Sequence, residues 1–120
     1  MEYREFYNGV KIPVIGFGVF QIPEYEKAKK AVLTALKTGY RLIDTAQAYM
    51  NEKAVGDAVR ESKIPREEIF ITTKLWIQDF SYESAIEATK LSMERLGTDY
   101  IDLMLLHQPM GCLLYTSRCV

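Results

Sequence analysis

The chain alternates between two hydrophobic rhythms. After Pro13 the run Val14-Ile15-Gly16-Phe17-Gly18-Val19-Phe20 is continuously apolar, the pattern of a strand covered on both faces in a parallel sheet. Pro23, Glu24 and Glu26 then open a segment in which Ala28, Ala31, Val32, Ala35 and Leu36 recur at helical spacing up to Gly39; proline and carboxylates suit a helix's first turn and glycine its end. Tyr40 to Asp44 reads as a strand. Asn51 stands where a side-chain cap would start a helix carrying Ala54, Val55, Ala58 and Val59 on one side, with Pro65 shortly beyond its end. Ile69 to Leu75 is rich in β-branched residues and predicts a strand. A helix from about Tyr82 follows, with Ala85, Ile86, Thr89 and Leu96 on its apolar side and Gly97 as its stop, and Tyr100 to His107 is the next strand. Ahead of all this, Asn8-Gly9 lies within Arg4 to Ile12 and predicts a hairpin with a type I′ turn.

Hairpin, then strand, helix, strand, helix, strand, helix, strand is an α/β order with crossovers long enough for a parallel sheet. Two architectures satisfy it: an open doubly wound sheet, or part of a (β/α)8 TIM barrel.

Composition narrows the function. The 120 residues carry 15 basic and 16 acidic side chains, a net charge of -1, so no basic excess nominates nucleic acid or an anionic membrane. No stretch approaches the ~20 apolar residues of a bilayer span, and the N-terminus has no signal-peptide core; a cytoplasmic protein is expected. Cys112 and Cys119 both lie in the last nine positions and form no metal-ligand spacing, so neither a disulfide framework nor a metal site is read.

Four polar residues fall at strand C-termini or just after them: Asp44, Tyr49, Lys74 and His107. In a parallel barrel those ends converge on one face, where active sites are built. A tyrosine, with a reference pKa of about 10, is a poor acid at neutral pH unless a cation stabilises its phenolate. Lys74 can be that cation, Asp44 the partner that keeps it charged and aimed at Tyr49, and His107 a donor that orients a carbonyl oxygen. No side chain donates a hydride, so this constellation calls for a nicotinamide cofactor, yet Gly16-Phe17-Gly18 is only GxG and the usual dinucleotide fingerprint is absent.

The run DTAQAYMNEKAVG from Asp44 to Gly56 resembles the signature of the aldo-keto reductase family, in which an aspartate, a tyrosine and a following Asn-Glu pair recur. GFGVFQ, ITTKLW and LGTDYIDLMLLHQP are similar to three further motifs of that family, in the same order. The resemblance spans roughly residues 3 to 111. It implies a (β/α)8 barrel, NADPH across its C-terminal face, reduction of small-molecule aldehydes or ketones, a catalytic tetrad of Asp44, Tyr49, Lys74 and His107 with the tyrosine as proton donor, and a monomeric full-length parent. It assigns Gly18, Val19 and Phe20, with Asp44, to the cofactor side, and Trp76, with His107, to the substrate pocket. His107-Gln108-Pro109 resembles the bacterial subgroup that includes diketogluconate reductases.

Singly, each residue has a structural reading: a turn aspartate, a packing tyrosine, a solvated lysine, a half-buried imidazole. Jointly they fit one pocket. Two other readings stay in view, a non-catalytic NADPH-binding barrel subunit and a barrel enzyme using Lys74 as a Schiff base. The family pattern covers a domain at 1–111, and the tail 112–120 reads as foreign to it. Half a barrel leaves unpaired edges, and the family's main pyrophosphate and adenosine contacts lie in the second half, so a chain ending at Val120 is expected to be poorly stable and catalytically weak alone.

Overall fold

The computed structural model describes residues 1–108; Cys112, Cys119 and the tail at 112–120 lie outside them. An antiparallel hairpin of β1 (Tyr3–Glu5) and β2 (Lys11–Pro13) precedes a four-stranded parallel sheet made by β3 (Gly16–Gly18), β4 (Leu42–Asp44), β5 (Phe70–Leu75) and β6 (Leu103–Leu106). Helices α1 (Tyr25–Lys37), α2 (Glu52–Glu61) and α3 (Tyr82–Leu96) make the crossovers.

Strand order is sequential, β3-β4-β5-β6. One apolar cluster joins Ile43 and Ile71 of the sheet to Val32 and Leu36 of α1, Val55 and Val59 of α2 and Leu96 of α3, so the helices share one face. A doubly wound sheet reverses its strand order and carries helices on both faces. Sequential strands with one helical face are the barrel arrangement, and these elements form the N-terminal part of a (β/α)8 barrel.

The register sorts side chains by face. Gly18, Asp44 and Thr72 are partners across three strands, and because strand side chains alternate, Lys74 shares their inner face while Ile43, Thr45, Ile71 and Thr73 point to the helices. The run from Val14 to Phe20 departs from the expectation of double burial: Ile15 is 57% exposed and Phe20 63%, while Val19 is fully buried, and among the described strands β3, within this run, is an edge with helices on one side only. The strands are also shorter than their apolar runs.

The hairpin turn differs from the expected type I′. Gly9 has φ +84° but Asn8 does not have a positive φ; Gly9 N–H donates to Phe6 O at 2.9 Å and Phe6 N–H to Val10 O at 2.8 Å. This is a three-residue loop with glycine at the left-handed position. The expected apolar side of α3 is also rotated: Ser92 and Leu96 are its buried residues, while Ile86 is 40% exposed. The polar contacts of Ser92 with the loop after β4, described below, set that rotation.

Gly56 of α2 lies against the C-terminus of α3. A Cβ there would fall 2.1 Å from the carbonyl oxygen of Leu96, a backbone atom that cannot yield without moving the helix. We therefore expect Gly56→Ala to cost about 1–3 kcal/mol or more, as overpacking does, read as a lowered denaturant midpoint.

On the surface between α1 and α2, Tyr25 Oη donates to Asp57 Oδ2 at 2.5 Å, and Lys53 and Arg60 also bind this carboxylate. The Tyr25 hydroxyl first, then Lys53, hold the Asp57 pKa down to about 2 from 3.8. A depressed carboxyl stabilises the fold above its unfolded value, and that contribution is lost as pH falls through the folded one. Between pH 3.8 and about 2, the protein should lose stability more steeply than Asp57→Asn, checked by chemical denaturation across that range.

Candidate active site

The parallel register brings Asp44 and Lys74 together. Asp44 ends β4 and Lys74 lies one residue before the end of β5, on adjacent strands and the same face. Lys74 Nζ donates to Asp44 Oδ2 at 2.7 Å and to the Thr45 carbonyl at 2.8 Å. The lysine side chain is 14% exposed, so this is a partly desolvated pair in which the ammonium has lost most of its water and holds two fixed acceptors instead.

Tyr49 arrives on a 3-10 turn, Gln47–Tyr49, directly after β4. The Lys74 ammonium stands 5.0 Å from its ring centroid, a cation over an aromatic face. His107 follows β6, and its amide donates to Leu75 O at 2.9 Å, extending the β5–β6 ladder by one residue. The imidazole is edge-on between two rings, 5.5 Å from Tyr49 and 5.3 Å from Trp76. Phe20 lies 5.1 Å from Tyr49 on the other side. Phe20, Tyr49, His107 and Trp76 thus form one aromatic row across the strand ends, with the ion pair beside Tyr49.

Burial, then the neighbouring Lys74 ammonium, push the His107 pKa below its usual 6.5, and Asp44 opposes this only in part. At neutral pH the ring is uncharged. Its Nδ1 is buried with no partner; an orphaned N–H is costlier than an orphaned lone pair, which assigns the proton to Nε2. That leaves one nitrogen able to donate.

The first βα loop divides the residues assigned to a cofactor. At Gly18 a Cβ would meet nothing nearer than Asp44 Oδ2 at 4.0 Å, so the space above the end of β3 is open, and the exposed Phe20 ring borders it. Val19 is instead fully buried in the core, its amide donating to Asp44 O at 3.1 Å and its carbonyl accepting from Asn51 Nδ2 at 2.9 Å. It fixes the loop rather than facing the opening. A cavity of about 690 Å³ lies along α3, lined by Gln47, Ala48, Met50, Trp76, Leu91 and Arg95 among others; it shares Trp76 with the row but none of the four polar residues.

Asn51 does not cap α2 with its side chain. Its Nδ2 donates to the carbonyls of Val19 and Ile22, and its Oδ1 accepts from Thr45 Oγ1 at 2.6 Å. Glu52, 2% exposed, accepts from Thr73 Oγ1 at 2.6 Å and from Arg95 at 3.4 Å. Thr45, Thr73 and Glu52 support the site through contacts that no local motif marks. For the two threonines the usable signal was strand parity, since Thr45 follows Asp44 and Thr73 precedes Lys74 by one position; Glu52, on α2, carried no such signal.

A carboxylate, an ammonium, a phenol and a neutral imidazole are thus gathered at the strand C-termini of a partial parallel barrel, the face on which barrel active sites are built. The family model described as "Aldo/keto reductase family" matches residues 14–113, and the chain belongs to that family. It is 47% identical over 105 residues to the glyoxal reductase of Bacillus subtilis, covering 88% of this chain and 38% of that protein. Among solved structures, an aldo/keto reductase from Brucella melitensis matches with a TM-score of 0.87 and 47% identity, over 93% of this chain and 44% of the other. The Bombyx mori aldo-keto reductase in complex with NADP matches with a TM-score of 0.86 and 34% identity, over 91% and 38%. The chain thus spans less than half the length of these relatives. Among the described residues no helix is long and apolar enough to cross a membrane.

If the ion pair is a unit, its two halves are not additive. Asp44→Asn and Lys74→Met should each destabilise, while the double variant should lose less than their sum, with a coupling of about 0.5–3 kcal/mol in a denaturation cycle.

Proposed function

We propose that the protein carrying these residues reduces small-molecule aldehydes and ketones to alcohols with NADPH. The observation that carries this reading is the Lys74–Asp44 ion pair set 5.0 Å from the ring of Tyr49, with the neutral His107 across from it. Reduction of a carbonyl needs an electron pair delivered to carbon and a proton delivered to oxygen. When bound, reduced nicotinamide supplies the hydride.

The chain's residues supply the rest. Gly18 and Phe20 would border the nicotinamide, and Asp44 would line its inner side. His107 Nε2–H and the Tyr49 hydroxyl donate to the carbonyl oxygen, which polarises the carbon and fixes its orientation. As negative charge grows on that oxygen, Tyr49 passes it a proton, and the ammonium over the ring favours the charge then left on the phenol oxygen. Asp44 and the Thr45 carbonyl hold the ammonium in place. Water returns the proton to Tyr49 after product leaves. Phe20, Tyr49, His107 and Trp76 wall the site with rings and keep the reacting oxygen away from bulk water.

The test is NADPH oxidation by the purified protein with an aromatic aldehyde, beside Tyr49→Phe and a binding titration of NADPH. Losing the general acid should lower kcat by about 100-fold or more while leaving the cofactor affinity intact. Turnover that persists in Tyr49→Phe would remove the assigned role of this residue. NADPH binding without turnover in the unaltered protein would favour the non-catalytic binding reading instead.

A further inference from the structure

Gln47 is half-buried, has no part in the proton and hydride chemistry, and uses its whole amide. Its Oε1 accepts the backbone N–H of Trp76 at 3.2 Å, and its Nε2 donates to Ala88 O and to Ser92 Oγ, both at 3.0 Å. Those partners settle the orientation of the amide, because a backbone N–H demands the oxygen and a carbonyl demands the nitrogen. The same residue starts the 3-10 turn that ends in Tyr49, and its carbonyl accepts from Met50 N–H at 3.3 Å. One side chain therefore ties three segments: the turn bearing Tyr49, the start of the loop after β5, and the middle of α3.

We infer that Gln47 is a positioning residue that fixes Trp76 against His107 and braces the Tyr49 turn on α3, and so sets the fit of the carbonyl substrate. Trp76 has no strand partner for its own amide, since β5 ends at Leu75. Without Gln47 that N–H and the Ala88 carbonyl lose a partner, and the loop carrying the indole is freed at its first residue. The contact at stake is the 5.3 Å edge-on pairing of Trp76 with His107, which forms the side of the row remote from the cofactor loop. The effect on catalysis rests on the proposed carbonyl reduction; the effect on Trp76 does not.

Trp76 is the only tryptophan in the chain, so its fluorescence reads this contact without any turnover. A protonated imidazole touching an indole quenches it, and the charged groups that set the His107 titration are Lys74 and Asp44. In the full chain, Trp76 emission should fall as pH drops through the lowered His107 value. Gln47→Leu, folded by circular dichroism, should lose most of that quench and shift its emission to the red. Gln47→Glu keeps the acceptor for Trp76 and should restore the quench. A Gln47→Leu protein with the unaltered quench and emission maximum overturns the inference. Should that variant not fold, Gln47→Glu decides: retained quench supports the contact with Trp76, and its loss refutes it. In the active protein, Gln47→Leu should raise KM for an aromatic aldehyde roughly tenfold, about 1.4 kcal/mol, with a smaller change in kcat. If the fluorescence result holds while no variant turns over substrate, the reduction reading fails and the positioning role stands.

Discussion

At the C-terminal ends of β4 and β5, polar side chains have to be paired on both faces of the same two strands. On the inner face Asp44 and Lys74 bind each other. One residue further on β4 and one earlier on β5, Thr45 and Thr73 point the other way, into the layer between sheet and helices, where an unpaired hydroxyl is costly. The first two residues of the α2 entry answer them: Asn51 takes Thr45 and Glu52 takes Thr73. The outer pairing holds the two strand ends in register, and the register holds the inner ion pair. The geometry of the candidate site is thus set from behind by residues that never reach the open face.

That arrangement explains why the first βα loop belongs to the same unit. Asn51 also binds the carbonyls of Val19 and Ile22, so the loop flanking the open space above Gly18 is tied to the start of α2. A buried carboxylate such as Glu52 stays favourable only with its partners in place; Thr73 and Arg95 supply them from β5 and α3. Three crossovers thus meet at the α2 entry.

On the open face two facts govern, the burial of His107 and the position of one positive charge. The Lys74 ammonium attracts the Tyr49 ring and, at the same time, disfavours a charge on His107. Within the row this leaves a single cation, a phenol beside it, and a neutral imidazole with one free donor. A partly buried cation beside these rings acts on them more strongly than it would in an exposed cluster of the same residues, where water would screen the charge.

The order of elements, the parallel sheet and the four polar residues were legible in the sequence, because hydrophobic period and turn residues are local signals and Asp44, Tyr49, Lys74 and His107 sit at strand ends by simple counting. Hydrophobic period alone left the choice between a doubly wound sheet and a barrel open, since it depends on strand order and on which face the helices cover; the motif resemblance pointed to the barrel, and the strand order agrees with it. Asn51 reads locally as a helix cap; only the neighbouring loop, 29 to 32 residues away in the chain, makes it a tether. Val19 reads as a cofactor contact by its motif, yet it packs into the core because its parity matches Ile43. Ile86 fits a helical stripe but stays exposed, because Gln47 and Glu52 set how α3 is turned. The sequence by itself determined which residues could form strands, helices and a cluster of polar groups at the strand ends. Which atoms meet was decided by tertiary structure, because the desolvation and pairing of buried polar groups depend on neighbours that no local pattern contains.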